Sequence, residues 1–151
     1  MTTYDYSSSE SVHGNLKRVR RGSNAQFTTK NNTTLSSLEI IENPIDDEGA
    51  KALAEALLTN KTLTQLILSK TGISDVGATA LAEMLKKNNT LTSLNLNRNS
   101  ISNAGATTLV EALQTNTTLT KLNLSINMLI SEETKTKLRK AISNKNLELL
   151  I

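Results

Sequence analysis

A period of 28 residues governs most of this chain. Leu35, Leu63, Leu91 and Leu119 lie 28 residues apart, and the segments between them align without a gap. Each unit opens with L-x-x-L-x-(L/I), in which the last two apolar residues are two apart, as in a strand. A unit of this size cannot bury its own apolar residues, whereas stacked units share a continuous core. The period therefore predicts a repeat solenoid.

The second half of each unit has the pattern of a short amphipathic helix. Leu81 and Leu85 are four residues apart, as are their counterparts in the neighbouring units, which places them on one helical face. A polar residue stands where each helix should be capped, and an asparagine stands where it should end. The predicted N-caps are Asp46, Ser74 and Ser102, and the predicted helix-end asparagines are Asn60, Asn88, Asn116 and Asn144.

One strand and one helix per unit also predict the overall shape. Neighbouring strands stack at about 4.8 Å and packed helices at about 8–10 Å, so the stack must curve with its strands inside. Residues 35–151 are predicted to hold four 28-residue repeats and a terminal fifth strand. Residues 23–34 are predicted to form a degenerate capping helix, and residues 1–22 a disordered polar and basic arm.

The signature LxxLxLxxNxI followed by GAxxLxEAL resembles the leucine-rich repeats of the ribonuclease-inhibitor-like class. It covers residues 35 to about 147. The resemblance implies an α/β leucine-rich-repeat solenoid, a short right-handed horseshoe arc with parallel strands on the concave face and helices on the convex face. The stretches "ALAEMLKKNNTLTSLNLNRNSIS" and "LVEALQTNTTL" are similar to repeats of tropomodulins, which cap actin filaments, and of nucleotide-sensing immune receptors.

Composition and motifs exclude several function classes. The chain has no cysteine, no apolar run long enough to span a membrane and no secretory signal pattern, so a cytoplasmic location is expected. Its net charge of +3 is mild and does not favour specific binding of nucleic acid. His13 is the sole histidine, and the glycines form no phosphate-binding loop. The sequence therefore predicts no enzyme, no metal site and no cofactor.

The candidate binding site is the set of strand residues that point away from the core. This surface has no aromatic anchor, which disfavours carbohydrate and nucleobase ligands, and concave repeat surfaces generally bind proteins. Lys70 and Arg98 occupy equivalent places in adjacent units, about 5 Å apart along the strand stack. The predicted partner-binding residues are Lys70, Arg98, Lys121, Gln65, Asn95 and Asn123.

The two ends of the chain carry further hypotheses. Arg20, Arg21 and Ser23 resemble the substrate pattern of basophilic kinases, so Ser23 is a candidate phosphorylation site, with a solvated basic segment as the alternative. Residues 147–151 present an unpaired strand edge, which indicates either a fragment of a longer repeat protein or an end that docks onto another chain, with homo-association as one such contact.

The leading functional hypothesis is a non-catalytic protein-interaction module that binds a protein partner, not identified by the sequence, on its concave face. The resemblance leaves two alternatives open. One is an actin-regulating protein like the tropomodulins. The other is a regulator of a small GTPase, because Ran GTPase-activating proteins carry the same repeat type.

Overall fold

Strands and helices alternate through the repeat region of the computed structural model, which describes residues 11–13, 16–19 and 33–151. Each helix returns the chain to the start of the next strand. The elements are β1 (Ser11–His13), β2 (Leu16–Val19), β3 (Ser37–Ile41), α1 (Asp46–Leu57), β4 (Gln65–Ser69), α2 (Asp75–Leu85), β5 (Ser93–Asn95), α3 (Asn103–Ala112), β6 (Lys121–Asn123), α4 (Glu132–Ala141) and β7 (Glu148–Leu150).

All the described strands belong to a single sheet, in which they follow one another in the order β1 to β7. β1 and β2 are antiparallel, and every later pair of neighbours is parallel. Leu38 lies opposite Leu66, which lies opposite Leu94, so the strand register equals the repeat period. The predicted α/β leucine-rich-repeat solenoid is confirmed.

The core is an aliphatic ladder built from equivalent residues of successive coils. Leu38, Leu66, Leu94 and Leu122 each have 0% of their surface exposed. Leucines from the inner faces of the helices pack against these rows, and small alanines between them let neighbouring helices approach closely. No single coil could bury these residues, so the ladder exists only because the coils stack.

The sheet begins before the first repeat. β2 pairs with β3 in parallel, and its residues Leu16 and Val19 lie opposite Ser37 and Ile40. Two strands thus fall within residues 1–22, for which the sequence predicted a disordered arm. The other residues of that arm, and residues 23–32 of the predicted capping helix, lie outside the described residues.

The fourth coil departs from the period by one residue, as its sequence indicates. Ile130 and Leu138 are buried, each one place later than the period requires, and the register is regained at Leu147. Helix α4 buries Leu138 alone, whereas α1, α2 and α3 each bury five or more residues. The coil therefore presents a mostly polar helix to the outside. Among the described residues, no helix is both long and apolar enough to cross a membrane.

Two of the three predicted N-caps are confirmed. The Ser74 hydroxyl accepts a hydrogen bond from the Val76 N–H, and the Ser102 hydroxyl accepts one from the Ala104 N–H, both at 3.3 Å. The prediction for Asp46 is wrong. The cap residue of α1 is Ile45, which makes no side-chain cap, and Asp46 has a left-handed φ of 54°.

The cause is Thr71, which stands in the next coil where later coils have asparagine. The Ile73 N–H donates to the Asn99 side-chain oxygen, at 3.1 Å. Thr71 offers no such amide, so the Ile45 and Asp46 N–H groups both donate to its backbone carbonyl, at 3.1 and 3.0 Å. The loop before α1 consequently takes a different course from the later loops.

The helix-end asparagines do not end the helices in a left-handed conformation, which is the usual role of asparagine at that place. None of the predicted four is among the described residues with positive φ, and Asn144 is exposed. Instead, the buried Asn88 accepts from the N–H groups of Thr90 and Leu91 at 2.9 and 2.8 Å. Its amide nitrogen donates to the Leu57 carbonyl of the preceding coil at 2.8 Å. Asn88 and Asn116 therefore close the helix-to-strand turn and tie adjacent coils together.

Candidate functional site

The concave face is formed by alternate strand residues, because successive residues of a strand point to opposite sides of a sheet. The side chains of this face are polar in the first repeat, both polar and apolar in the middle repeats, and charged or apolar in β7. Its members are Ser37, Glu39, Gln65, Ile67, Ser93, Asn95, Lys121, Asn123, Glu148 and Leu150.

A second line of side chains follows the ends of the strands, and we call it the left-handed row. It consists of Glu42, Lys70, Arg98 and Ile126, which lie one period apart and have φ values of 55°, 55°, 55° and 59°. Non-glycine residues seldom adopt this conformation. Its recurrence gives the four side chains one shared direction at the edge of the concave face.

Lys70 is already paired within the row. Its ammonium lies 3.3 Å from a Glu42 carboxylate oxygen, and both side chains are more than half exposed. The charge of Lys70 is therefore matched from the preceding coil. Arg98 has no carboxylate partner among the described residues, and its exposed guanidinium is the uncompensated cation of the row.

Two other predicted binding residues are tied to neighbouring strands. The Lys121 ammonium lies 2.9 Å from a Glu148 carboxylate oxygen across the β6–β7 pair. The Gln65 side-chain oxygen accepts a hydrogen bond from the Ser37 hydroxyl at 3.1 Å. These contacts are exposed, so they add little to stability and leave both groups accessible to a partner.

The side chains of the two predicted asparagines, Asn95 and Asn123, accept hydrogen bonds from the backbone at the ends of β5 and β6. The Asn95 side-chain oxygen accepts from the Asn97 N–H at 3.0 Å. The Asn123 oxygen accepts from the Ser125 N–H at 2.9 Å and from its hydroxyl at 2.6 Å. Only their amide nitrogens remain to contact a partner. Ser23, the candidate phosphorylation site, lies outside the described residues.

The helix starts carry a separate polar network between coils. Asp47 accepts from the Ser74 hydroxyl at 2.6 Å, the Ser74 N–H at 2.8 Å and the Gly77 N–H at 2.9 Å. Burial raises the pKa of Asp47, but these hydrogen bonds and the nearby Lys51 outweigh burial and leave the pKa below its ordinary value. A Cβ atom on Gly77 would come within 2.6 Å of the Asp47 oxygen, so this network requires glycine.

The loop after β6 exposes apolar side chains that the sequence analysis missed. Ile126, Met128 and Leu129 are 52, 86 and 61% exposed. The corresponding stretches of the earlier coils read "ENPI", "KTGI" and "RNSI", whereas this one reads "INMLI". A position-by-position comparison of the loops would have found the three residues, whereas the core pattern alone conceals them.

The described residues hold no other chemical centre. In residues 33–151 no group of three histidine, aspartate or glutamate side chains is placed to hold a metal ion. The polar groups that do converge, at the helix starts and the coil turns, bond to backbone N–H groups of adjacent coils. The concave face, the left-handed row and the exposed loop carry accessible side chains for contact with another molecule.

Comparison with known proteins gives two kinds of match. Residues 29–150 match the family model described as the TMOD/LMOD leucine-rich domain. A solved structure described as Leiomodin-1 Actin-Binding Site 2 (ABS2) is 31% identical, with a TM-score of 0.75, over 81% of this chain and 73% of that one.

A tropomodulin C-terminal domain from Caenorhabditis elegans is 18% identical, with a TM-score of 0.68, over 81% of this chain and 75% of that one. At that identity the likeness concerns the fold alone. Among curated proteins, none matches the chain.

Proposed function

The chain belongs to the tropomodulin and leiomodin leucine-rich domain family, and from that membership we propose that it is a non-catalytic module that binds actin. The observation that carries the proposal is the 31% identity, over 81% of the chain, to a structure described as an actin-binding site of leiomodin-1. An actin partner would support the cytoplasmic location expected from the sequence. Neither the family model nor the two structures concerns a GTPase regulator, so no observation favours that alternative.

The concave face and the left-handed row supply the chemistry that such a contact needs. Two exposed ion pairs, Lys70 with Glu42 and Lys121 with Glu148, hold charge at the surface in fixed places. Exposed pairs of this kind contribute little to folding, so they can exchange partners at low cost. Arg98 adds a cation that no described carboxylate compensates, and it lies one coil from Lys70. We place the actin contact on this side of the solenoid.

Fluorescence anisotropy with labelled full-length chain and monomeric actin tests this proposal. The Lys70→Glu, Arg98→Glu double variant should weaken binding by about tenfold or more, since it reverses two charges that face the partner. Lys87→Glu, an exposed reversal just after α2, is the matched control and should bind as the unaltered chain does. All three proteins should melt at similar temperatures.

The outcomes separate the parts of the proposal. Failure of the unaltered chain to bind actin would overturn the function. Binding that survives the double reversal but is lost on Lys87→Glu would keep the function and move the contact to the helix side.

A further inference from the structure

The exposed loop of the fourth coil has a composition that folding does not require. We call Ile126, Met128 and Leu129 the apolar ridge. Every other member of the left-handed row is charged, yet the fourth is Ile126, and it is 52% exposed. Met128 is 86% exposed at a place where the third coil has Ser100. Three exposed apolar side chains within four residues are the composition of a contact site for another protein.

The one-residue shift of the fourth coil explains how the apolar ridge arises. Ile101 fills the core in the third coil, and Ile130 fills the same place in the fourth, where it is 4% exposed. Leu129, which the period would have put there, is displaced to the surface and is 61% exposed. The core is therefore complete without the ridge, and none of the three ridge side chains belongs to the buried core cluster.

The backbone of this loop is held in place. Leu129 forms a parallel bridge with Ser102 of the preceding coil, and the Ile130 N–H donates to the Asn127 carbonyl at 3.1 Å. The buried Asn127 side chain donates to the Leu96 and Leu124 carbonyls, each at 2.9 Å. A partner would therefore meet a preformed surface and lose little free energy in ordering it.

Charge next to the apolar ridge determines which partner fits. Arg98 precedes Ile126 by one coil in the left-handed row, so their backbones are about 5 Å apart along the stack. Lys70, one coil further, is compensated by Glu42, which leaves Arg98 as the cation that borders the ridge. Glu132 and Glu133 follow the ridge, but each pairs with a lysine of α4 at 2.6 Å. The ridge is thus an apolar surface with one available positive charge.

We propose that the apolar ridge and Arg98 form a docking surface for a protein segment that carries apolar side chains next to a carboxylate. The apolar side chains would cover Met128 and Leu129, and the carboxylate would pair with the Arg98 guanidinium in two parallel hydrogen bonds. A second copy of this chain fits less well, because Glu132 and Glu133, the carboxylates that follow the ridge, are already paired with lysines of α4. The inference rests on the proposed function and deepens it by assigning the contact a place and a chemistry.

The first arm of the test measures monomeric actin binding by the full chain and an Ile126→Arg, Met128→Ser variant. Both replacements copy the residues that the third coil has at these places, so the fold should tolerate them. The expected result is at least about tenfold weaker binding, as for residues that anchor an interface, with an unchanged melting temperature. Val76→Ala is the matched control, because Val76 is a similarly exposed apolar residue, 53%, at the start of α2.

The second arm does not depend on actin. Amide chemical shifts of the full chain are followed with three synthetic peptides that alternate leucine with glutamate, leucine with lysine, or serine with glutamate. Shifts at Arg98 and residues 126–129 should appear with the leucine–glutamate peptide alone. The Ile126→Arg, Met128→Ser variant should lose them.

Each possible result either supports or overturns the proposed docking surface. Actin binding that the double variant retains in full would overturn it and leave the proposed function standing. If actin does not bind at all, the proposed function fails and the peptides decide: selective shifts support the docking surface, and absent or unselective shifts overturn it. Self-association that the double variant abolishes would assign the apolar ridge to a second copy and overturn the partner proposed here.

Discussion

Asn99 shows how much one side chain can connect in a repeat protein. Its oxygen accepts from the Thr71 N–H, the Thr71 hydroxyl and the Ile73 N–H, at 3.0, 3.2 and 3.1 Å. Its nitrogen donates to the Leu68 carbonyl at 2.7 Å and the Leu96 carbonyl at 3.0 Å, so it joins two coils. Thr71 cannot do this for the coil before it, and there the loop takes a different course.

We therefore expect Asn99→Ala to lower the free energy of unfolding by about 3 kcal/mol, since it leaves several buried backbone groups without partners. Urea denaturation followed by circular dichroism measures the loss. Asn89→Ala, which removes an exposed asparagine in the preceding coil, should change stability by no more than about 0.5 kcal/mol. Equal effects of the two substitutions would contradict the role given to Asn99.

At the residue scale, Asp47 makes the free energy of unfolding depend on pH. Because its folded pKa lies below the ordinary value, its ionised form stabilises the fold above the unfolded pKa of about 3.9, and this contribution is lost as pH falls further. Asp47→Asn keeps the shape, as Asn103 does when it accepts from the Ser131 N–H at 2.8 Å. Thermal melts between pH 7 and 3 should show a smaller acid loss in this variant, and an equal loss would contradict the assignment.

At the scale of elements, the strands and helices of the repeats were predictable because each coil repeats the same local pattern. Leu94 occupies the centre of that pattern with 0% exposure. Leu94→Ala should cost about 2–5 kcal/mol through lost burial and the cavity left behind. In a chain of this size that is a large part of the total of about 5–15 kcal/mol. A melting temperature that falls by less than a degree would contradict the core register.

The elements that escaped prediction depend on contacts between distant residues. β1 and β2 lie in a segment without the repeat pattern, and their place is set by the pairing of β2 with β3. Asp46 fails as an N-cap because of Thr71, which belongs to the following coil. Lys70 and Arg98 were predicted to be neighbours from the repeat period. The pairing of Lys70 with Glu42 was not, because it follows from strand stacking and not from sequence proximity.

Helix α4 is the last described helix of the stack. The places where α3 presents Ala106 and Val110 are occupied in α4, after the one-residue shift, by Lys135 and Arg139. Arg139 also donates to the Ile151 carbonyl at 3.1 Å. With two acidic and four basic residues, α4 carries a net positive charge that repels a second copy at this end.

At the scale of the whole molecule, β7 pairs with β6 alone among the described strands, so its other edge has no described partner. Alternate residues of a parallel strand direct their backbone groups to opposite sides, so Leu149 presents its N–H and C=O to that edge. The homo-association suggested by the sequence should then depend on salt, which screens the charge of α4. Light scattering should show a monomer at low salt and a dimer near about 1 M salt. A monomer at every salt concentration would exclude association through this edge.

Sedimentation velocity of the labelled full chain with monomeric actin is the most direct test of actin binding, because it reports complex formation whatever surface is used. If the chain binds actin, it should sediment faster as actin is added, and the effect should saturate. The Lys70→Glu, Arg98→Glu variant should then need about tenfold more actin or more. An unchanged sedimentation coefficient at actin concentrations up to about 100 µM, enough to detect a weak complex, would contradict the assignment of this chain as an actin-binding module.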